Sequence, residues 1–225
     1  MQREEFAGAS KNNTSFLTPV ERRMARIVLP RVPEWLETQH LTMLTLVWSA
    51  LIVAFNFLAA TNLKWLWLVS LMIAFQYFTD HFDGKVGKYR NTGLLKWGFY
   101  MDHLLDYVFL CSVLIGYALI LPAKSRYHML LVLAVYGAFM VNAFLTFAAT
   151  REFNISYLKL GPTEFRIALI VINTLLIVFG TEAMKRALPY VAGFSLLGLS
   201  VIVYRTQKRI WRNDMEHKAG ITGSQ

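Results

Sequence analysis

Six apolar runs separated by short polar segments dominate the chain. They cover residues 41–60, 63–78, 94–121, 129–149, 167–180 and 190–204. A helix needs about 20 apolar residues to cross the hydrocarbon core of a bilayer. Most runs reach or approach that length, and the shorter ones reach it if their flanks continue the helix. The pattern predicts an all-α, polytopic membrane protein with six transmembrane helices in one domain, residues 38–208. Ahead of the first run, Thr18-Pro19-Val20-Glu21 has the order of a helix start: a cap, proline at the first helical position, then a glutamate three after the cap. The next stretch, Arg22 to Leu29, mixes basic and apolar positions. An interfacial amphipathic helix is therefore expected over 18–37, with a plain juxtamembrane linker as the alternative. Residues 1–17 are polar and expected to be disordered. Residues 209–225 are expected to form a cytoplasmic C-terminal tail.

Charge orients this array. Basic residues collect in cytoplasmic segments of membrane proteins. With the N-terminus inside, only Lys64, Lys124, Arg126, Lys185 and Arg186 fall on the opposite side, leaving 18 of the 23 Lys and Arg on the cytoplasmic side. Both termini are thus predicted to be cytoplasmic, in a bacterial cytoplasmic membrane. The net charge of +9 suits anionic headgroups or phosphate substrates. It does not point to nucleic acid, because the basic residues follow the loop pattern. The single cysteine, Cys111, excludes an intrachain disulfide and a thiolate metal site. Trp35, Trp65, Trp67, Trp97 and Trp211 fall near predicted span ends, as an aromatic belt does.

Four of the five aspartates lie in one stretch between and within the second and third runs: Asp80, Asp83, Asp102 and Asp106. One aspartate at the middle of a spanning helix costs roughly 2.5–3.5 kcal/mol, and four unpaired ones on the order of 10 kcal/mol. Cations are the simplest compensation. Asp80 and Asp83 are three apart and Asp102 and Asp106 four apart, spacings that put each pair on one helix face. Two such helices facing each other would converge four carboxylates on one cavity. Ligands of this hardness favour Mg²⁺, Mn²⁺ or Ca²⁺. Four are enough for two ions, and such sites act mostly on phosphorus.

The neighbours of the aspartates fit that chemistry. Gly84 and Gly98 remove side chains where a bulky anion would approach, and Gly87 adds a third small position. Close helix packing is the other use of glycine in membranes. Lys88 and Arg90 bring positive charge beside the carboxylates, suited to a pyrophosphate, or else reflect the cytoplasmic bias alone. Glu164 and Arg166 open the fifth run on the same side. They serve either as cap and basic anchor or as a polar wall of the substrate site. Arg151 on that side is grouped with them as a candidate phosphate contact.

These residues resemble the CDP-alcohol phosphotransferase family, whose motif runs Asp-x-x-Asp-Gly-x-x-Ala-Arg, a spacer, then Gly-x-x-x-Asp-x-x-x-Asp. Asp80, Asp83, Gly84, Gly98, Asp102 and Asp106 match it. Gly87 stands where alanine is usual and Lys88 where arginine is usual, with Arg90 able to share that role. The spacer to Gly98 is one residue longer than the commonest form. The six-span layout and the interfacial helix are similar to the family as well.

The resemblance implies that an alcohol attacks the pyrophosphate of a CDP-linked donor, releasing CMP and forming a phospholipid. It also implies two Mg²⁺ or Mn²⁺ ions on Asp80, Asp83 and Asp102, with Asp106 a metal ligand or the general base, and a homodimer. CDP-diacylglycerol is the narrowly preferred donor, with a small polar alcohol as acceptor. The alternative is transfer from CDP-choline or CDP-ethanolamine to diacylglycerol. Asp83-Gly84-Lys85, Asp102-His103, Gly161-Pro162-Thr163-Glu164 and Val32-Pro33-Glu34-Trp35 look similar to that aminoalcohol branch. There the histidine after the third aspartate is the base, helped by a glutamate four residues earlier. His103 is present here, but Phe99 occupies the glutamate position. Two other classes remain: an aspartate-rich prenyltransferase, whose two motifs would lie further apart, and an acidic-site cation transporter.

Overall fold

The computed structural model of the protein describes residues 18–150 and 162–222. Every regular element among the described residues is helical. Helix α1 (Thr18–Val28) begins where the Thr-Pro signature predicts, and a 3₁₀ turn (Leu29–Arg31) follows it. Then come α2 (Thr38–Ala59), a 3₁₀ turn (Leu63–Trp65), α3 (Leu66–Arg90), α4 (Leu95–Ile120), α5 (Ala123–Thr150), α6 (Pro162–Phe179) and α7 (Glu182–Thr222). Each apolar run thus seeds one helix. The expected segments 1–17 and 223–225, and Arg151 and Gly161, lie outside the described residues.

Among the described residues, four helices are long and apolar enough to cross a membrane: Thr38–Ala59, Leu95–Ile120, Ala123–Thr150 and Glu182–Ala219. Helix α3 has 25 residues, about 37 Å at 1.5 Å per residue, but Asp80, Asp83, Lys85, Lys88 and Arg90 crowd its C-terminal half. Helix α6 has 18 residues. Helix α7 runs on to Thr222, so the described part of the expected tail after 208 is helical.

Local chemistry sets the helix ends around the acidic stretch. Glu37 and His40 cap α2 reciprocally: the Glu37 N–H donates to His40 Nδ1 at 3.2 Å, and the Glu37 side chain accepts from the His40 backbone. Helix α3 ends at Asn91, which adopts the left-handed conformation (φ 59°) that asparagine tolerates better than most residues. The Asn91 and Thr92 N–H groups both return to the Gly87 carbonyl. The chain then reverses into α4 after four residues.

Helix α2 packs on α3 and α4, α3 on α6, α4 on α5, and α5 on α7. Ile52, Val69, Ile73, Phe109, Val113, Leu169 and Leu176 are buried in the shared core. A second cluster joins Ala25 of α1 to Leu41, Phe82 and Val86, so the N-terminal helix is anchored at the acidic end of α3. Large apolar side chains cover the outside, among them Phe57, Leu145, Phe179, Phe194 and Leu197. A surface that apolar is expected to face lipid. The antiparallel order brings the C-terminal third of α3 to the same end as the N-termini of α2, α4 and α6.

Candidate active site

Three aspartates converge at that end. Asp80 from α3 and Asp102 and Asp106 from α4 each bring a carboxylate oxygen within 4.8 Å of the other two. All three are partly exposed. The helical spacings explain the convergence: Asp102 and Asp106 share a face of α4, and that face meets α3 at Asp80. Three hard oxygen donors in this arrangement can hold a divalent cation. Carboxylates this close disfavour one another's charge unless cations separate them.

Asp83 is placed differently from the other three. It is buried, and its Oδ2 accepts from Thr42 Oγ1 at 2.9 Å. Its backbone carbonyl accepts from Thr38 Oγ1 at 2.9 Å, and its Oδ1 accepts from the Gly84 N–H. The convergent group contains the first, third and fourth aspartates of the motif, with the second set behind them against α2.

Arg166, near the start of α6, turns inward rather than toward solvent. It is 4% exposed. Its Nη2 donates to Asp80 Oδ2 at 3.0 Å and to Asp106 Oδ1 at 3.3 Å. Its Nε donates to Gln76 Oε1 at 2.6 Å. Glu164 lies half-buried in the first turn of the same helix.

The other candidate residues separate by geometry. Gly84 and Gly98 have open space where a Cβ would stand. Gly87 does not: a Cβ there would lie 2.5 Å from Thr38 Oγ1 and 2.8 Å from the Gly93 Cα. Of the two readings of the glycines, Gly87 follows close packing, while Gly84 and Gly98 leave room for a ligand. Lys88 is exposed. Arg90 donates to four backbone carbonyls, Glu34 and Leu36 through Nη1 at 3.2 and 2.9 Å, Val32 and Pro33 through Nη2 at 2.8 and 2.9 Å. It therefore clamps the segment between α1 and α2 onto α3.

His103 lies on α4 beside Asp102 of the triad. Its Nδ1–H donates to the Phe99 carbonyl at 2.6 Å, and the two rings pack with centroids 4.4 Å apart. The same nitrogen lies 3.7 Å from Asp102 Oδ2. The imidazole borders an apolar cavity of about 470 Å³ between α4 and α5, with Tyr107, Leu133, Met140 and Phe144 among its walls.

Three residues in this network were not anticipated from the sequence: Thr38, Thr42 and Gln76. Each had a signal. Thr38, Thr42, Thr45, Ser49 and Asn56 form a buried polar stripe at helical spacing along apolar α2, the kind of stripe that marks a helix–helix face in membranes. Gln76 lies one turn before Asp80 on the same face of α3.

The CDP-alcohol phosphatidyltransferase family profile matches residues 38–203. Among curated proteins and solved structures nothing matches the chain.

Proposed function

Because the chain belongs to the CDP-alcohol phosphatidyltransferase family, we propose that it transfers a substituted phosphate from CDP-diacylglycerol to the hydroxyl of a small polar alcohol, releasing CMP. Family members are transferases of substituted phosphate groups, and this one is an integral membrane enzyme of phospholipid synthesis that uses a CDP-linked substrate. The observation that carries the reading is the convergence of Asp80, Asp102 and Asp106 within 4.8 Å.

Those oxygens suit Mg²⁺ or Mn²⁺. Asp80, Asp102 and Asp106, with Asp83 behind them, would hold two such ions. When bound, the ions would offset the charge of the donor pyrophosphate and of the departing CMP. Asp106 has the most exposed carboxylate of the Arg166-bridged pair, 36% against 21% for Asp80. It takes the proton from the acceptor hydroxyl as that oxygen attacks phosphorus. Lys88 meets the phosphate oxygens, while Arg90 serves the fold. Gly84 and Gly98 leave the backbone open to the diphosphate. Glu164 adds to the polar wall. The enzyme spans the membrane six times, with α3 and α6 completing the set. Its termini and acidic end are cytoplasmic, α1 lies in the interface, and two copies form a homodimer.

The distance of 3.7 Å between His103 Nδ1 and Asp102 favours a second reading, the aminoalcohol transfer to diacylglycerol with His103 as base. A donor and acceptor screen in detergent with Mn²⁺, reading CMP and the lipid product, separates the two. CMP release from CDP-diacylglycerol and a polyol supports the first reading. Release only from CDP-choline or CDP-ethanolamine with diacylglycerol contradicts it.

A further inference from the structure

The acidic triad contains a cation supplied by the protein itself. The Arg166 guanidinium bridges Asp80 and Asp106, which come from different helices, and does so while 4% exposed. Its orientation is fixed from behind. Gln76 Oε1 accepts from Nε at 2.6 Å, and Gln76 is fully buried, with no acceptor for its Nε2 among the described residues. The amide is thus committed to the arginine. The guanidinium carbon also lies 5.4 Å from the centroid of the Phe109 ring, within cation–π range. A basic residue that only anchors a helix end extends its charge outward to water and headgroups. This one reaches inward and makes two acidic contacts. Both carboxylates are reached by Nη2 while Nε is held by Gln76, so one fixed guanidinium neutralises two carboxylates that would otherwise repel each other.

We propose that Arg166 is the resident counter-cation of the metal site. It is a positioning residue: it holds Asp80 and Asp106 together before a divalent ion binds, and shares them with the ion afterwards. This rests on the reading of the aspartates as metal ligands given above.

The test uses the full chain purified in detergent, unfolded thermally in excess chelator and in saturating Mn²⁺. Arg166→Met removes the charge and keeps apolar contact with Phe109. In chelator the variant is expected to unfold at a lower temperature than wild type. Mn²⁺ is expected to raise its Tm by more than it raises that of wild type, since the ion then relieves a repulsion that the guanidinium no longer offsets. A variant that survives only in Mn²⁺ is the same result at its limit. The double variant Asp106→Asn/Arg166→Met removes one of the paired acids and is expected to recover part of the loss in chelator, a coupling read from the double-mutant cycle. An equal Mn²⁺ shift in Arg166→Met and wild type, or a double variant no more stable in chelator than Arg166→Met, would overturn the proposal and leave Arg166 a packing residue. A wild type indifferent to Mn²⁺ would contradict the metal reading instead. The comparison in chelator involves no metal and still decides the role of Arg166.

Discussion

Thr42 Oγ1 donates to Asp83 Oδ2 at 2.9 Å, tying the second aspartate of the acidic stretch to α2 while the other three face one another. A buried hydrogen bond to a charged group contributes roughly 1.5–3 kcal/mol. Thr42→Val keeps the shape and removes the donor, so it is expected to lower both Tm and turnover. Thr42→Ser keeps the donor and is expected to retain most of both. Thermal unfolding and CMP release checks this, and a Val variant equal to wild type in both counts against a role for the bond.

Gly84, Gly87 and Gly98 of the acidic stretch are expected to behave differently. Gly87→Ala puts a methyl 2.8 Å from the Gly93 backbone, and overpacking of this kind costs about 1–3 kcal/mol. Gly84→Ala and Gly98→Ala meet nothing within 4 Å and lie in helices, where alanine is the better former by about 1 kcal/mol. They are expected to fold as well as wild type yet raise the donor KM. Thermal unfolding set beside donor titrations distinguishes the groups; a destabilised Gly84→Ala with normal KM contradicts the assignment.

Lys88 and Arg90 are two residues apart but are expected to fail in different ways. Lys88→Ala should raise donor KM and leave Tm unchanged. Arg90→Ala removes the donors that hold Val32, Pro33, Glu34 and Leu36, so it should lower Tm and loosen the segment before α2. Protease sensitivity near residue 33 is a direct readout. A large KM change in Arg90→Ala at unchanged Tm would return Arg90 to the phosphate site.

Asp106 and His103 compete for the role of base. General-base loss lowers rates by about 10²–10⁴-fold, and that drop is expected for Asp106→Asn. His103→Ala should keep measurable turnover, because its ring lines the apolar α4–α5 cavity. Inactive His103→Ala with intact donor binding would move the assignment to the aminoalcohol reaction.

The apolar runs located the helices because hydropathy and helix share a cause in lipid: backbone groups must pair within the segment. The runs misjudged helix ends for the same reason. Hydropathy stops at Phe78, but the α3 ladder continues to Arg90, since leaving the apolar region does not end a helix. The spacing of Asp80, Asp102 and Asp106 made their convergence readable. The seat of Asp83 was not readable, because it depends on Thr42, which is 41 residues away. The role of Arg90 was hidden more deeply. Its partners are backbone carbonyls 54 to 58 residues earlier, and a carbonyl leaves no residue type to recognise. Arg166 was legible as a polar residue at the acidic end, but its inward turn depends on Gln76 and Phe109 on two other helices.

The central claim is that Asp80, Asp102 and Asp106 form a divalent-metal centre for transfer from a CDP-linked donor. The most direct measurement is CMP release by the purified full chain from CDP-diacylglycerol and an acceptor polyol, in Mg²⁺ or Mn²⁺ and then in excess chelator, for wild type and Asp80→Asn. Release is expected to require the metal, to vanish with chelator, to return when the ion is restored, and to be absent in Asp80→Asn throughout. Undiminished CMP release in chelator, or an Asp80→Asn variant turning over at the wild-type rate, would contradict the account.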